Sequence, residues 1–180
     1  MAITPLLIEQ LPVKRRGLTD FTYTRYLPPW LMNYEGTALF LDADMVVNSD
    51  IAELFALANP AYAVQIVKSE QRFEWPSLML FNCEQCRTLT PEFIEFDQPE
   101  ALQWGAVGEL PKTWNHCIGY DAPDAEAKIM HYTMGIPAFK ETQHLEGADL
   151  WKKEHYLANS TVSWQELMGK SVHAGRLHGH

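Results

Sequence analysis

The stretch Thr37-Ala-Leu-Phe-Leu41, running straight into Asp42-Ala43-Asp44, constrains this chain more than any other segment. A continuous apolar run of that length predicts a buried parallel strand. Two carboxylates at i and i+2, placed directly after it, are costly to desolvate unless something neutralises them. In open α/β sheets ligands gather beyond the carboxyl ends of the strands. Asp42 and Asp44 are therefore candidate ligands for a hard cation, Mn²⁺ or Mg²⁺, which commonly keeps room for phosphate oxygens. A bare Asp-x-Asp is more often a turn or surface pair. Here the apolar run before it and the capped helix after it favour the ligand reading.

The flanking chain alternates strand and helix signals, which argues for an α/β layer structure. Residues 3–9 are short and apolar, a strand or a packed segment. Thr19-Asp20 before Phe21, Tyr23, Arg25, Tyr26 and Leu27 predicts a helix capped by Asp20. Pro28-Pro29 interrupts it, and Trp30-Leu31-Met32 packs as a further turn. Asp50 with Glu53 makes a capping-box-like start for a helix over 51–58, closed by Asn59-Pro60. Strands are predicted at 61–67 and 77–81. Thr90-Pro91-Glu92 opens a helix with proline in its first position. Residues 97–115 read as loop with short elements, and 128–130 as a short strand leading to His131. Ser163 with Glu166 predicts a terminal helix near 164–168. No repeat or linker marks a boundary, so residues 1–180 read as a single domain, with 155–180 its C-terminal helix and tail.

Composition narrows the partners. The net charge is −9, and basic residues cluster only at Lys14-Arg15-Arg16, so a nucleic-acid partner is disfavoured. No segment approaches the roughly 20 apolar residues of a membrane span. The first residues lack the basic start and cleavage site of a signal peptide, and the expected location is cytoplasmic. Three cysteines (Cys83, Cys86, Cys117) suit a reducing compartment. Cys83-Glu-Gln-Cys86 has no second pair to complete a zinc site, so core packing is the better reading. The composition is compatible with a homo-oligomer.

His131, at the end of a short apolar stretch, would add a nitrogen ligand that tilts the choice toward Mn²⁺. By itself such a histidine is more often structural. Lys68, at a strand end, either faces a sugar or is solvated. Asn115 either contacts donor or acceptor or caps a loop. Trp104, Trp114 and Trp151 read as core rather than as sugar platforms. His173, His178 and His180 belong to a tail.

Three segments in order, Phe21-Thr-Tyr-Thr-Arg25-Tyr-Leu-Pro-Pro, Ala38-Leu-Phe-Leu-Asp42-Ala-Asp44-Met-Val-Val and Asp50-Ile-Ala-Glu-Leu-Phe55, resemble glycosyltransferase family 8 and its bacterial and phage relatives. So do Ser77-Leu-Met-Leu-Phe-Asn82, Leu110-Pro-Lys-Thr-Trp114-Asn115 and Ile129-Met-His131-Tyr-Thr-Met-Gly135-Ile-Pro-Ala-Phe139. The resemblance covers about residues 18–155. It implies an α/β fold of GT-A type, a mixed sheet flanked by helices and shortened at its N-terminus. It further implies a nucleotide-sugar donor, usually UDP-hexose, with Mn²⁺ or Mg²⁺ and retention of anomeric configuration. The acceptor would be a glycan, lipid or protein.

By position, the resemblance makes Asp42, Asp44 and His131 the metal ligands. Arg25, Asp42, Ala43, Asp44, Lys68, Asn115 and Gly135 become the donor-facing set. No residue is assigned as nucleophile. Two features depart from the family pattern. Pro137 stands where a phosphate-binding lysine is expected, with Lys140 as its nearest substitute. Only some twenty residues precede the Arg25 region. The competing expectation is a glycosyltransferase-like interaction module lacking a complete donor site.

Overall fold

The computed structural model describes residues 1–70 and 72–158. The Ser163–Glu166 capping box, the helix it would start, and His173, His178 and His180 lie outside the described residues. In chain order the strands are β1 (Thr37–Leu41), β2 (Met45–Val47), β3 (Val64–Ile66), β4 (Leu78–Asn82), β5 (Val107–Glu109), β6 (His116–Cys117) and β7 (Ile129–His131). The α-helices are α1 (Pro28–Leu31), α2 (Ile51–Phe55), α3 (Pro91–Phe96) and α4 (Ala148–Leu157). They fall into two compact units. One comprises Met1–Asp42 with Ile51–Lys112, the other Ala43–Asp50 with the described residues from Thr113 on.

The first unit is built on a sheet of order β1-β4-β3-β5. The apolar run does form a strand, but not the buried parallel one expected. β1 lies at the sheet edge, pairs antiparallel with β4, and is only half-buried. Leu78 to Phe81 of β4 are buried throughout, so β4 takes the interior place. Side chains alternate faces along a strand. Ala38 and Phe40 therefore pack on the core with Val64, Ile66, Met79 and Phe81. Only β3 and β5 pair in parallel, which makes the sheet mixed.

Of the two alternatives for residues 3–9 the packed segment holds: no strand forms, a 3₁₀ turn spans Ile8–Gln10, Leu6 packs on the core, and buried Leu11 and Val13 anchor the segment. One local expectation in this unit is corrected. There is no α-helix capped by Asp20. A 3₁₀ turn at Thr24–Tyr26 leads directly into α1, whose first residues are Pro28 and Pro29. The prolines open that helix rather than interrupting one, because a first-turn N–H has no intrahelical acceptor to lose. Thr22 Oγ1 accepts from the Thr19 amide at 3.0 Å, and Asp20 pairs with Arg16 at 3.4 Å in solvent.

Helix α2 ends at Phe55 rather than Ala58. Buried Gln65 captures the chain beyond it, donating from Nε2 to Leu57 O and accepting at Oε1 from the Asn59 amide. The start of α3 is as expected, with Pro91 first and Thr90 Oγ1 accepting from Phe93 N at 3.2 Å.

The second unit carries a smaller sheet, β2-β7-β6, with β2 antiparallel and β6 parallel to β7. Its core is Ile118, Ala127, Met130 and Tyr132, packed with Val46, Ile136, Leu145, Leu150 and Trp151. The Tyr132 hydroxyl donates to Gly147 O at 2.7 Å and ties β7 to the residue before α4.

Candidate metal and donor site

Asp42 follows the last residue of β1, and its amide donates to Ser77 O at 3.0 Å. Arg25, carried by the turn at Thr24–Tyr26, brings Nη2 to 3.3 Å from Asp42 Oδ1. Both side chains are largely buried, at 12% and 17% exposure, so the pair is screened far less than a surface one. The guanidinium carbon lies 5.7 Å from the Phe40 ring centroid. Arg25 Nε is buried without a hydrogen-bond partner among the described residues. An unpaired donor on a buried cation costs at least about 1–3 kcal/mol.

In the second unit β7 delivers His131, at 2% exposure, to the residue that precedes β2. His131 Nε2 lies 3.3 Å from Asp44 Oδ1. Its other nitrogen, Nδ1, lies 3.0 Å from Asn115 Oδ1. An amide oxygen only accepts, so Nδ1 carries a proton and donates it. Nε2 then faces a carboxylate oxygen. Two acceptors at that separation repel unless a cation lies with them, whether a proton or a metal ion. Holding a ligating imidazole through its second nitrogen is the usual support for a metal-binding histidine. Asp42 lies two residues before Asp44 on the same stretch of chain. One oxygen of each carboxylate and a ring nitrogen of His131 all lie within 4.8 Å of one another. Two carboxylates and an imidazole fit Mn²⁺ well and Mg²⁺ acceptably.

The remaining sequence candidates sit as follows. Asn115 is buried against His131, a positioning contact the sequence reading did not foresee. Lys68 pairs with Glu109 at 3.8 Å on the surface and lies 6.0 Å from the Trp75 ring. Gly135 has φ +117, and a Cβ there would lie 2.9 Å from Phe139 Cδ2, so only glycine fits the turn after His131. Pro137 and Phe139 of that turn are buried, whereas Lys140 is exposed.

Trp104 stacks with Phe81 at 6.3 Å, Trp114 is buried, and Trp151 stacks on His155, in keeping with packing roles. Cys83, Cys86 and Cys117 are free and buried. Burial pushes the Cys83 thiol up to about 11 and that of Cys86 up to about 12, so neither supplies thiolate at neutral pH. Cys86 instead donates from Sγ to Asn82 O and Ala63 O. Sequence reading also missed the pair of buried His116 Nε2 with half-buried Glu146 Oε2, 3.0 Å apart. Neither residue carried a local pattern that could have linked them.

The mixed sheet, whose first strand runs into Asp42 and Asp44 beside Arg25, is in keeping with the GT-A fold of glycosyltransferases. The comparisons agree. The profile of Glycosyl transferase family 8 matches residues 4–90. Protein CDI of Arabidopsis thaliana is 30% identical over 192 residues, covering 84% of this chain and 73% of that protein. The chain belongs to glycosyltransferase family 8.

Three solved structures share the fold. The bifunctional glycosyltransferase WbbM, in its apo form, superposes with TM-score 0.62 at 18% identity, over 82% of this chain and 37% of its own. GlyE of Streptococcus pneumoniae TIGR4 gives 0.60 at 19%, over 77% and 44%. An active-site mutant of LgtC gives 0.59 at 13%, over 91% and 75%. The chain thus spans less than half the length of WbbM and GlyE. No helix among the described residues is long and apolar enough to cross a membrane.

Proposed function

We propose that this protein is a metal-dependent glycosyltransferase that moves a hexose from a UDP-sugar to an acceptor, with retention of configuration. One observation carries the reading. His131 Nε2 faces Asp44 Oδ1 at 3.3 Å, with the ring oriented through Nδ1 by Asn115. Asp42, Asp44 and His131 would hold Mn²⁺ or Mg²⁺. When bound, the ion supplies Lewis-acid stabilisation of the negative charge that builds on the departing diphosphate.

The chain's own residues do the rest. Arg25 is oriented by Asp42 and offers its unpaired Nε to a donor oxygen, adding a guanidinium where charge develops. Asn115 acts as a positioning residue, turning Nε2 of His131 toward Asp44. Ala43, Lys68 and Gly135 complete the donor-facing set, with Gly135 allowing close backbone approach. No side chain is assigned as nucleophile. The acceptor hydroxyl would attack on the leaving-group face, and its proton would pass to the departing diphosphate oxygen. The acceptor is a glycan, lipid or protein hydroxyl.

The test is a thermal shift with UDP, with and without Mn²⁺. Ligand at a hundredfold excess over its dissociation constant stabilises the native state by about 2.7 kcal/mol. Asp44→Ala should remove the Mn²⁺-dependent part of that shift. If that part survives the substitution, the ligand set is wrong. A donor screen read by mass spectrometry identifies the sugar, and no transfer or hydrolysis with any UDP-sugar would leave a binding module instead.

A further inference from the structure

The first unit carries a second concave site. A cleft of about 270 Å³ opens where β1 begins and β4 ends, lined by Thr37, Asn59, Tyr62, Gln65, Asn82 and Glu84, with Leu80 and Phe81 behind them. Thr37 and Asp42 stand at opposite ends of β1, about 17 Å apart at the rise of a strand. The cleft therefore does not overlap the carboxylate end of the strand.

Its walls are pre-set. Gln65, only 6% exposed, spends its amide on Leu57 O (3.1 Å) and the Asn59 amide (2.7 Å), which fixes the loop after α2. Asn59 Oδ1 accepts from Ala61 N at 2.9 Å, and Gln85 Nε2 donates to Pro60 O. The Tyr62 ring packs directly over Gly108, where any side chain would collide with it. Against this rigid frame, the Tyr62 hydroxyl and the Asn82 side-chain amide have no hydrogen-bond partner among the described residues.

The chemistry of the lining selects a ligand. No lysine or arginine borders the cleft, and Glu84 adds negative charge, so phosphorylated and other anionic ligands are repelled. The volume falls just below the roughly 300 Å³ at which small-molecule sites begin, which limits the occupant to about one ring. Amides and a carboxylate around an aromatic side chain match a molecule whose hydroxyls both donate and accept and whose C–H face is apolar. We propose that this cleft is a saccharide-binding subsite for one uncharged hexose ring, separate from the donor site. It does not depend on the donor reading.

The experiment is a backbone-amide NMR titration of the full ¹⁵N-labelled chain, without metal. The probes, added singly, are methyl β-glucoside, methyl β-galactoside, N-acetylglucosamine and maltose. At least one probe should shift the amides of residues 58–62 and 82–84 in a saturable way. Asn82→Ala should weaken that binding roughly fivefold or more, the loss of about one hydrogen bond. Tyr62→Ala should do the same, and should it fail to fold, Asn82→Ala decides. Asp44→Ala should leave the titration unchanged. The proposal is overturned if no probe perturbs these amides. It is equally overturned if shifts appear only around residues 42–44, or if Asn82→Ala binds as the parent does.

Discussion

The two units solve the problem of holding a functional side chain by different means. In the first, Asp42 is carried by a strand whose inner face packs into a continuous apolar core, from Leu11 through Tyr26 and Phe81 to Ile94. In the second, the strands are two or three residues long and the core is small. There, polar side chains supply the order. His131 is tied to Asn115, His116 to Glu146, the Cys117 amide to Asp121, and Tyr132 to Gly147. Apolar burial is non-directional and sets where a strand lies. Hydrogen bonds are directional, and a buried imidazole offered to a ligand needs its orientation set as well as its place.

That contrast can be broken by substitution. Phe81→Ala should be the most damaging change, removing a fully buried ring that stacks with Trp104. A loss of about 3–5 kcal/mol is expected in denaturant unfolding, and a loss below 1 would mean the first unit does not rest on this core. Asn115→Ala should leave stability less affected while weakening Mn²⁺ binding by about 10–100-fold, measured by calorimetry. Equal affinity in that variant would remove Asn115 from its positioning role.

Tyr132→Phe isolates one polar tie of the second unit. It keeps the ring, deletes the bond to Gly147 O, and should cost about 1 kcal/mol. At the small end stands Asp20→Ala. A true helix cap would cost about 1 kcal/mol on that change. The exposed Arg16–Asp20 pair should instead leave the melting temperature almost unmoved. A clear destabilisation there would reinstate the capped helix.

Much of the first unit was legible along the chain. β1, β3, β4 and the Thr90 cap each have a local signature, an apolar run or a turn residue with a physical reason to be there. The edge place and antiparallel pairing of β1 were not, because an apolar run suits either orientation. The partner strand lies some forty residues further on. Helix α4 escaped notice because only Ala148 of its ten residues is buried, leaving little periodic signal. Asn115 was seen as a candidate, but its partner was not. Its contact with His131 spans sixteen residues and exists only because β6 lies beside β7.

By itself the sequence determined the ingredients: a strand ending in Asp42 and Asp44, a basic residue ahead of it, and a histidine after a short apolar stretch. These are local matters, because side-chain chemistry and strand propensity act over a few residues. Only the tertiary structure decided which nitrogen of His131 faces Asp44, that Arg25 keeps an unpaired Nε beside Asp42, and that a second cleft opens at the far end of β1. Each depends on groups distant in sequence meeting at hydrogen-bond range, and pairing of that kind is set by packing rather than by spacing along the chain.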